Sequence, residues 1–171
     1  MLQHYDTIHA AKESVKEPGE EVAGALLVSE TSFLGGESFY LILAATKILG
    51  ARVKPSVTAL LSPFLGTIPS LVLFGRTKPQ IGGGEDLFTA SMEKKALEED
   101  PQNFVIPYSE IAKIELKKHK RFSTGELHIT TSDKRQMTFR LVMLASARDD
   151  TFDTYQSLLK SALPGKLSLI D

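Results

Sequence analysis

Apolar and polar side chains alternate most regularly in the last third of the chain. Residues 113–117, 126–130 and 136–143 each repeat with the period of a strand that has one face buried and the other in water. A polar segment, residues 131–135, separates the last two runs and supplies turn-forming side chains. We therefore predict an antiparallel meander of these three strands. Its inward side chains are Ile114, Leu116, Leu127, Ile129, Met137, Phe139, Leu141 and Met143.

A helical period follows the meander, in residues 149–163. Apolar side chains recur there at spacings of three and four, which places them on one face of a helix. Asp149 or Asp150 can cap the start of this helix, and the Pro164-Gly165 pair stops it. The side chains predicted to face the sheet are Phe152, Tyr155, Leu158 and Leu159.

Two further segments have the pattern of amphipathic helices. Residues 5–17 end at a Pro-Gly pair, which stops a helix. Residues 85–100 begin with two acids, where the helix dipole favours negative charge, and end before Pro101. We predict a helix in each segment.

Two apolar runs lie between these helices. Residues 22–29 are mostly apolar and are followed by a turn signal at Gly35-Gly36, so we predict a strand there. Residues 38–53 form a second strand-like run, which is aromatic and β-branched at its start. A helix over residues 40–49 is the alternative, because periodicity alone does not separate the two in so apolar a stretch.

The segment between Lys54 and Arg76 carries no charge, although 24% of the chain is charged. A membrane-spanning helix needs about 20 apolar residues, and residues 55–75 just reach that length. Pro63 and Pro69, with Gly66 between them, would break such a helix twice. We therefore expect two short helices, at residues 56–61 and 68–74, that pack on each other or on a partner.

Composition indicates a single globular domain spanning residues 1–171. The apolar fraction of 42% suffices for a core, and the formal net charge of -1 gives no general attraction to nucleic acid. There is no cysteine, which excludes disulfides and thiolate metal sites. The first residues lack the pattern of a secretory signal, so the expected location is cytoplasmic, with membrane association as a further option.

Catalytic and metal-binding motifs are absent from the sequence. The Gly-rich stretch at residues 82–84 is followed by two acids, which would repel a phosphate, and the serines form no nucleophile elbow. His4 and His9 are five residues apart, which does not match the spacing of two ligands on one helical face. We expect a non-enzymatic protein with no metal and no cofactor.

Positive charge is concentrated at the end of the first meander strand. As a hairpin tip, this segment could contact an anionic membrane or lipid headgroup, since each basic group near such a surface contributes about 1 kcal/mol. The alternative is a solvated turn that protects the strand edges from aggregation. The candidate anion-binding residues are Lys117, Lys118, His119, Lys120 and Arg121.

The second half of the chain resembles that of a bacterial pleckstrin-homology or GRAM-like domain. The run FVIPYSEIAKIEL is similar to the Ile-Pro-Tyr-x-x-Ile strand of that family, and GELHITTSDKRQMTFRL to the two strands that follow it, before a terminal helix. Upstream, PGEEVAGALLVSE and YLILAATKILGARV are similar to two earlier strands of the family. Where the family usually has Thr-x-x-Arg-Leu, this chain has Ala45-Thr46-Lys47-Ile48-Leu49. The chain departs from the family in that an apolar stretch lies inside the domain. It also has no Trp, which eukaryotic members typically carry.

This resemblance implies an α+β fold: a strongly bent antiparallel sheet, or PH-like split barrel, capped by a C-terminal helix. Residues 53–100 would then be an apolar, helical insertion. The family implies a platform that binds lipids or proteins, and no chemistry.

The apolar insertion is the predicted association surface, since a soluble monomer rarely exposes an apolar patch larger than a few hundred Å². We expect a homo-oligomer, or contact with another protein, through this surface. The alternative is a carrier of small hydrophobic ligands, with residues 55–75 lining its pocket. The residues of the predicted surface are Leu60, Leu61, Phe64, Leu65, Ile68, Leu71, Leu73 and Phe74.

Overall fold

One large, mostly antiparallel sheet carries a mixed α+β fold. The computed structural model describes residues 18–31, 36–67, 87–120, 123–143 and 145–170. The predicted helix at residues 5–17, the second of the short apolar helices and the Gly-rich stretch lie outside these residues.

The strands and helices are numbered in chain order among the described residues. The strands are β1 Gly19–Glu20, β2 Val22–Glu30, β3 Ser38–Ala44, β4 Lys47–Arg52, β5 Phe88–Thr89, β6 Phe104–Pro107, β7 Ile111–Lys117, β8 Glu126–Thr131, β9 Gln136–Leu141 and β10 Leu167–Ile170. The helices are α1 Pro55–Leu61, α2 Ala90–Glu99 and α3 Arg148–Ala162. Short 3-10 turns occupy Ser62–Thr67, Tyr108–Glu110 and Ala145–Ala147.

The main sheet has the order β10-β7-β8-β9-β2-β3-β4-β6, and β1 pairs with β5 separately. Strands β7, β8 and β9 form the predicted meander, with the predicted residues inward, and β2 covers the predicted strand at residues 22–29. Residues 38–53 fold as a hairpin of β3 and β4, so the helical alternative was wrong. Strand β10, which pairs in parallel with β7, was not predicted.

The sheet is open, because β6 and β10 remain as its two edges, and it does not close into a barrel. It is nevertheless strongly curved. The rings of Phe104 in β6 and Phe139 in β9 stack with centroids 6.3 Å apart. In a flat sheet these strands, four positions apart, would be separated by about 19 Å. The curvature therefore brings one edge of the sheet against its middle.

Both faces of the sheet carry a hydrophobic core, which explains the continuous apolar run of β3. Phe39, Leu41 and Leu43 enter the first core, which α3 covers. The alternate residues Tyr40, Ile42 and Ala44 enter the second core, which α1 and α2 cover. A strand that is buried on both sides loses the alternation of apolar and polar residues, so its sequence resembles that of a buried helix.

Helix α3 is fixed to the sheet by a buried phenol. The side chain of Tyr155 has no exposed surface, and its oxygen accepts the backbone N–H of Leu27 in β2 at 3.0 Å. Burial raises the pKa of Tyr155 to about 12. This contact sets the helix across the first core.

The described part of the apolar insertion packs inside its own chain. Leu61 and Leu65 have no exposed surface and Phe64 is 7% exposed, so these three residues of the predicted association surface pack into the core of their own chain. They are buried because they pack against the apolar side chains on the second face of the sheet. Leu60 is half-buried beside them. Ile68, Leu71, Leu73 and Phe74 lie outside the described residues, and self-association through them stays a prediction.

Helix α2 begins later than predicted. Residues 88 and 89 form strand β5, and the hydroxyl of Thr89 caps the helix by accepting the N–H of Met92 at 3.4 Å. The two acids expected at the helix start, Glu85 and Asp86, lie outside the described residues. The helix ends at Glu99, before Pro101, as predicted.

Candidate functional site

The predicted basic segment lies where β7 ends. The strand stops at Lys117, residues 118 and 119 continue it without pairing, and Lys120 forms an isolated bridge with Ser123. Arg121 lies outside the described residues. The turn that carries Lys134 and Arg135 follows β8, so it sits at the opposite end of the meander, as predicted.

The N-terminus of α3 faces this segment across a cavity of about 530 Å³. We call this cavity the basic cleft. Two of its residues follow the end of β7, two belong to the 3-10 turn before α3 and three to the first turn of α3, so residues distant in sequence form one site. The residues that line it are His119, Lys120, Ser146, Ala147, Arg148, Asp149 and Asp150.

The start of α3 lacks the predicted side-chain cap. The N-cap position is Ala147, which has no side chain that can accept a hydrogen bond, and Asp149 and Asp150 lie within the first turn instead. The first N–H groups of a helix have no partner inside the helix, and they carry its partial positive charge. These N–H groups add positive potential beside the cleft, which Asp149 and Asp150 partly offset.

Two of the predicted basic side chains are already paired. The Nζ of Lys117 lies 3.5 Å from a carboxylate oxygen of Glu126 in β8. The Nζ of Lys118 lies 3.1 Å from Oδ1 of Asp149 and 5.8 Å from the centre of the Phe152 ring. Lys118 therefore neutralises one of the two acids of the basic cleft.

Among the described residues of the basic segment, His119 has the most enclosed side chain, at 12% exposure. Its Nε2 lies 3.7 Å from Oδ1 of Asp149, and its ring meets the Phe152 ring edge-on at 6.3 Å. Its Nδ1 is buried and has no hydrogen-bond partner among the described residues. This imidazole forms part of the wall of the cleft.

Lys120 and Arg148 supply the remaining positive charge. Among the described residues neither makes an ion pair, and Lys120 is exposed. With Asp149 held by Lys118, two cations face the single acid Asp150. This arrangement suits an anion with several oxygen atoms, such as a phosphate group.

Sequence reasoning missed Arg148 and the start of α3 as parts of this site. The signal was present in the run Arg148-Asp149-Asp150, which marks a helix start with a cation directly before two acids. What the sequence did not give was the packing of this helix start against the end of β7, which is set by the burial of Phe152 and Tyr155.

No known family model matches the chain, and no curated protein matches it either. Among solved structures it is similar to the C-terminal domain of an unknown protein from Leishmania infantum, at 12% identity and a TM-score of 0.42, over 84% of this chain and 85% of that one. It is also similar to the hSac2 domain from human phosphoinositide phosphatase Sac2, at 15% identity and a TM-score of 0.44, over 88% and 76% of the two chains. Both likenesses are distant and say nothing about what this chain binds.

The helices of the described residues are all too short or too polar to cross a membrane.

Proposed function

We propose that this chain is a non-enzymatic binding module that holds the phosphate-bearing headgroup of an anionic lipid in the basic cleft. The observation that carries the proposal is the meeting of Lys120, His119 and Arg148 with the uncapped start of α3 around one cavity. The net charge of the chain is only -1, so attraction to an anionic surface has to come from a local cluster of this kind.

The proposal includes a PH-like split barrel as the scaffold. Its support is the curvature of the sheet, the three-strand meander that follows the turn at Tyr108–Glu110, and the terminal helix α3 over the first core. The Ile-Pro-Tyr motif spans the end of β6 and the start of this turn. Lys166 binds the carbonyls of Tyr108 and Ile111, at 2.5 and 2.6 Å from its Nζ, and so holds the turn in place.

Vesicle binding with a matched pair of variants tests the function. We expect the double variant Lys120→Ala/Arg148→Ala to bind phosphatidylcholine vesicles that contain an anionic phospholipid about 10- to 30-fold more weakly than the original chain, since each cation contributes about 1 kcal/mol near such a surface. The control is Lys94→Ala/Lys95→Ala, which removes the same charge from an exposed part of α2.

Three results would overturn the proposal. The first is an equal loss of binding in the control variant. The second is no binding by the original chain to anionic vesicles at low salt. The third is tight binding of free inorganic phosphate with no gain from vesicles, which would assign the cleft to a soluble anion.

A further inference from the structure

A second cavity system lies at the other end of the meander, between the edge strand β6 and strand β9. Two adjoining cavities of about 400 and 380 Å³ share Phe104, Gln136 and Met137 on their walls. We call them together the apolar slot. Volumes of this size are typical of sites for small molecules.

The apolar part of the walls is aromatic and thioether, and polar side chains such as Gln136 and Thr138 line the rest. The Phe104 ring stacks on Phe139, at an angle of 20°, and meets Phe39 at 6.1 Å between ring centroids. Met137 is half-buried beside them. Phe104 can occupy this place because it lies opposite Gly50 in β4, whose missing side chain leaves room for the ring.

The edge of β6 is poorly suited to pair with a peptide. The N–H of Tyr108 donates to the carbonyl of Thr46, just before β4. In an antiparallel pair every second residue points its N–H at the neighbouring strand, so the N–H groups of Ile106 and Phe104 also point towards β4. Only Val105 then offers an N–H to the slot, since Pro107 has none. A compact ligand is favoured over an extended chain.

Acidic groups stand at both ends of the slot. Glu30 lines one end and Glu110 the other, and neither makes an ion pair within the described part of the chain. Among the described residues that line the slot, the guanidinium is that of Arg135, which is held by Asp133 at 2.5 Å from its Nε. The rim is therefore negative, in contrast to the basic cleft.

Because the slot combines an aromatic wall with a negative rim, we propose that it binds a small organic cation. Such a ligand would carry an amine or quaternary ammonium group attached to an apolar body about the size of one aromatic ring. The apolar body would lie against Phe104 and Met137, and the cation would face a carboxylate at the rim. This site is separate from the basic cleft, and its ligand has the opposite charge.

Methionine methyl groups provide a direct readout. The chain has four methionines, of which Met137 lines the slot and Met92 packs against the second core. With methyl-labelled methionine, we expect 4-phenylbutylamine to shift the Met137 signal saturably and to leave Met92 unmoved. The variant Met137→Leu assigns the signal.

The charge of the ligand is tested with 4-phenylbutanol and 4-phenylbutanoate, which share the same apolar body. We expect the alcohol to bind more weakly than the amine, and the carboxylate more weakly still. Glu30→Gln/Glu110→Gln is expected to reduce the affinity for the amine by about 1.5- to 5-fold per carboxylate. Both residues are exposed, so this variant keeps the fold. Glu21→Gln/Glu98→Gln removes the same charge elsewhere and is the control.

The absence of a saturable Met137 shift with all three compounds would overturn the site. Equal affinity for the alcohol, tighter binding of the carboxylate, or an equal loss in the control variant would overturn the assignment of a cation.

Discussion

The ring of Phe104 lies directly over the backbone of Gly50. A methyl group added at Gly50 would come within 2.1 Å of the tip of this ring, far inside contact distance. The glycine is required here by the close approach of a side chain, and this contact sets where Phe104 stands at the edge of the sheet.

The variant Gly50→Ala is therefore expected to lower the free energy of unfolding by about 1–3 kcal/mol, because the ring has to move within a packed core. Chemical denaturation measures this loss. Combining it with Phe104→Leu should recover part of the loss, since the shorter side chain makes room. If the two changes simply add, the contact between these residues does not set the position of the ring.

A second prediction concerns the described part of the apolar insertion, which packs in the second core. Leu65 is fully buried and the neighbouring Leu60 is half-buried. We expect Leu65→Ala to cost about 2–5 kcal/mol of stability and Leu60→Ala clearly less. Thermal or chemical unfolding of the two variants compares them. Equal, small effects would mean that this part of the insertion does not pack on the sheet.

Asp100 offers a pH-dependent test. Its carboxylate contacts Lys54 and lies 3.0 Å from an Arg52 nitrogen, and it also accepts the N–H of Gln102. The hydrogen bond from Lys54 is the main reason why the pKa of Asp100 falls to about 2. A carboxyl whose pKa is lower in the folded state stabilises the fold above its unfolded value near 4, and this contribution is lost as the pH falls towards 2.

We accordingly expect the stability of the original chain to fall between pH 4 and pH 2, and to fall less steeply in Asp100→Asn. Unfolding measured across this range gives both slopes. Asp153, which is exposed on α3, provides the control Asp153→Asn. Identical slopes in the original chain and in Asp100→Asn would show that the ion pairs of Asp100 do not hold its pKa down.

The elements that could be predicted from sequence are those with one face in water. Strands β7, β8 and β9 keep the alternation that burial of a single face imposes, so residues such as Ile129 and Phe139 were placed correctly. Strand β3 does not alternate between apolar and polar residues, because both of its faces are buried. Its sequence therefore left a helix open as an alternative. Strand β10 follows the helix stop at Pro164-Gly165, and its parallel pairing with β7 depends on contacts about fifty residues away in the chain.

The sequence predicted the basic residues of the cleft but not the helix start that faces them. A cluster of like charges, such as Lys118 and Lys120, is visible in the sequence itself. The approach of Arg148 and the uncapped start of α3 depends on tertiary packing, which local patterns do not report. The apolar slot was not predicted, because it exists only through the curvature that brings Phe104 to Phe139.

Headgroup binding in the basic cleft can be located by titrating the chain with a soluble phosphorylated headgroup, inositol 1,4,5-trisphosphate, and following the amide signals residue by residue by NMR. Binding in the basic cleft predicts that the largest shifts occur at residues 118–120 and 146–150, and that they vanish in Lys120→Ala/Arg148→Ala. Saturable shifts centred elsewhere on the chain, or shifts in the cleft that persist in the double variant, would show that Lys120 and Arg148 do not form the headgroup site.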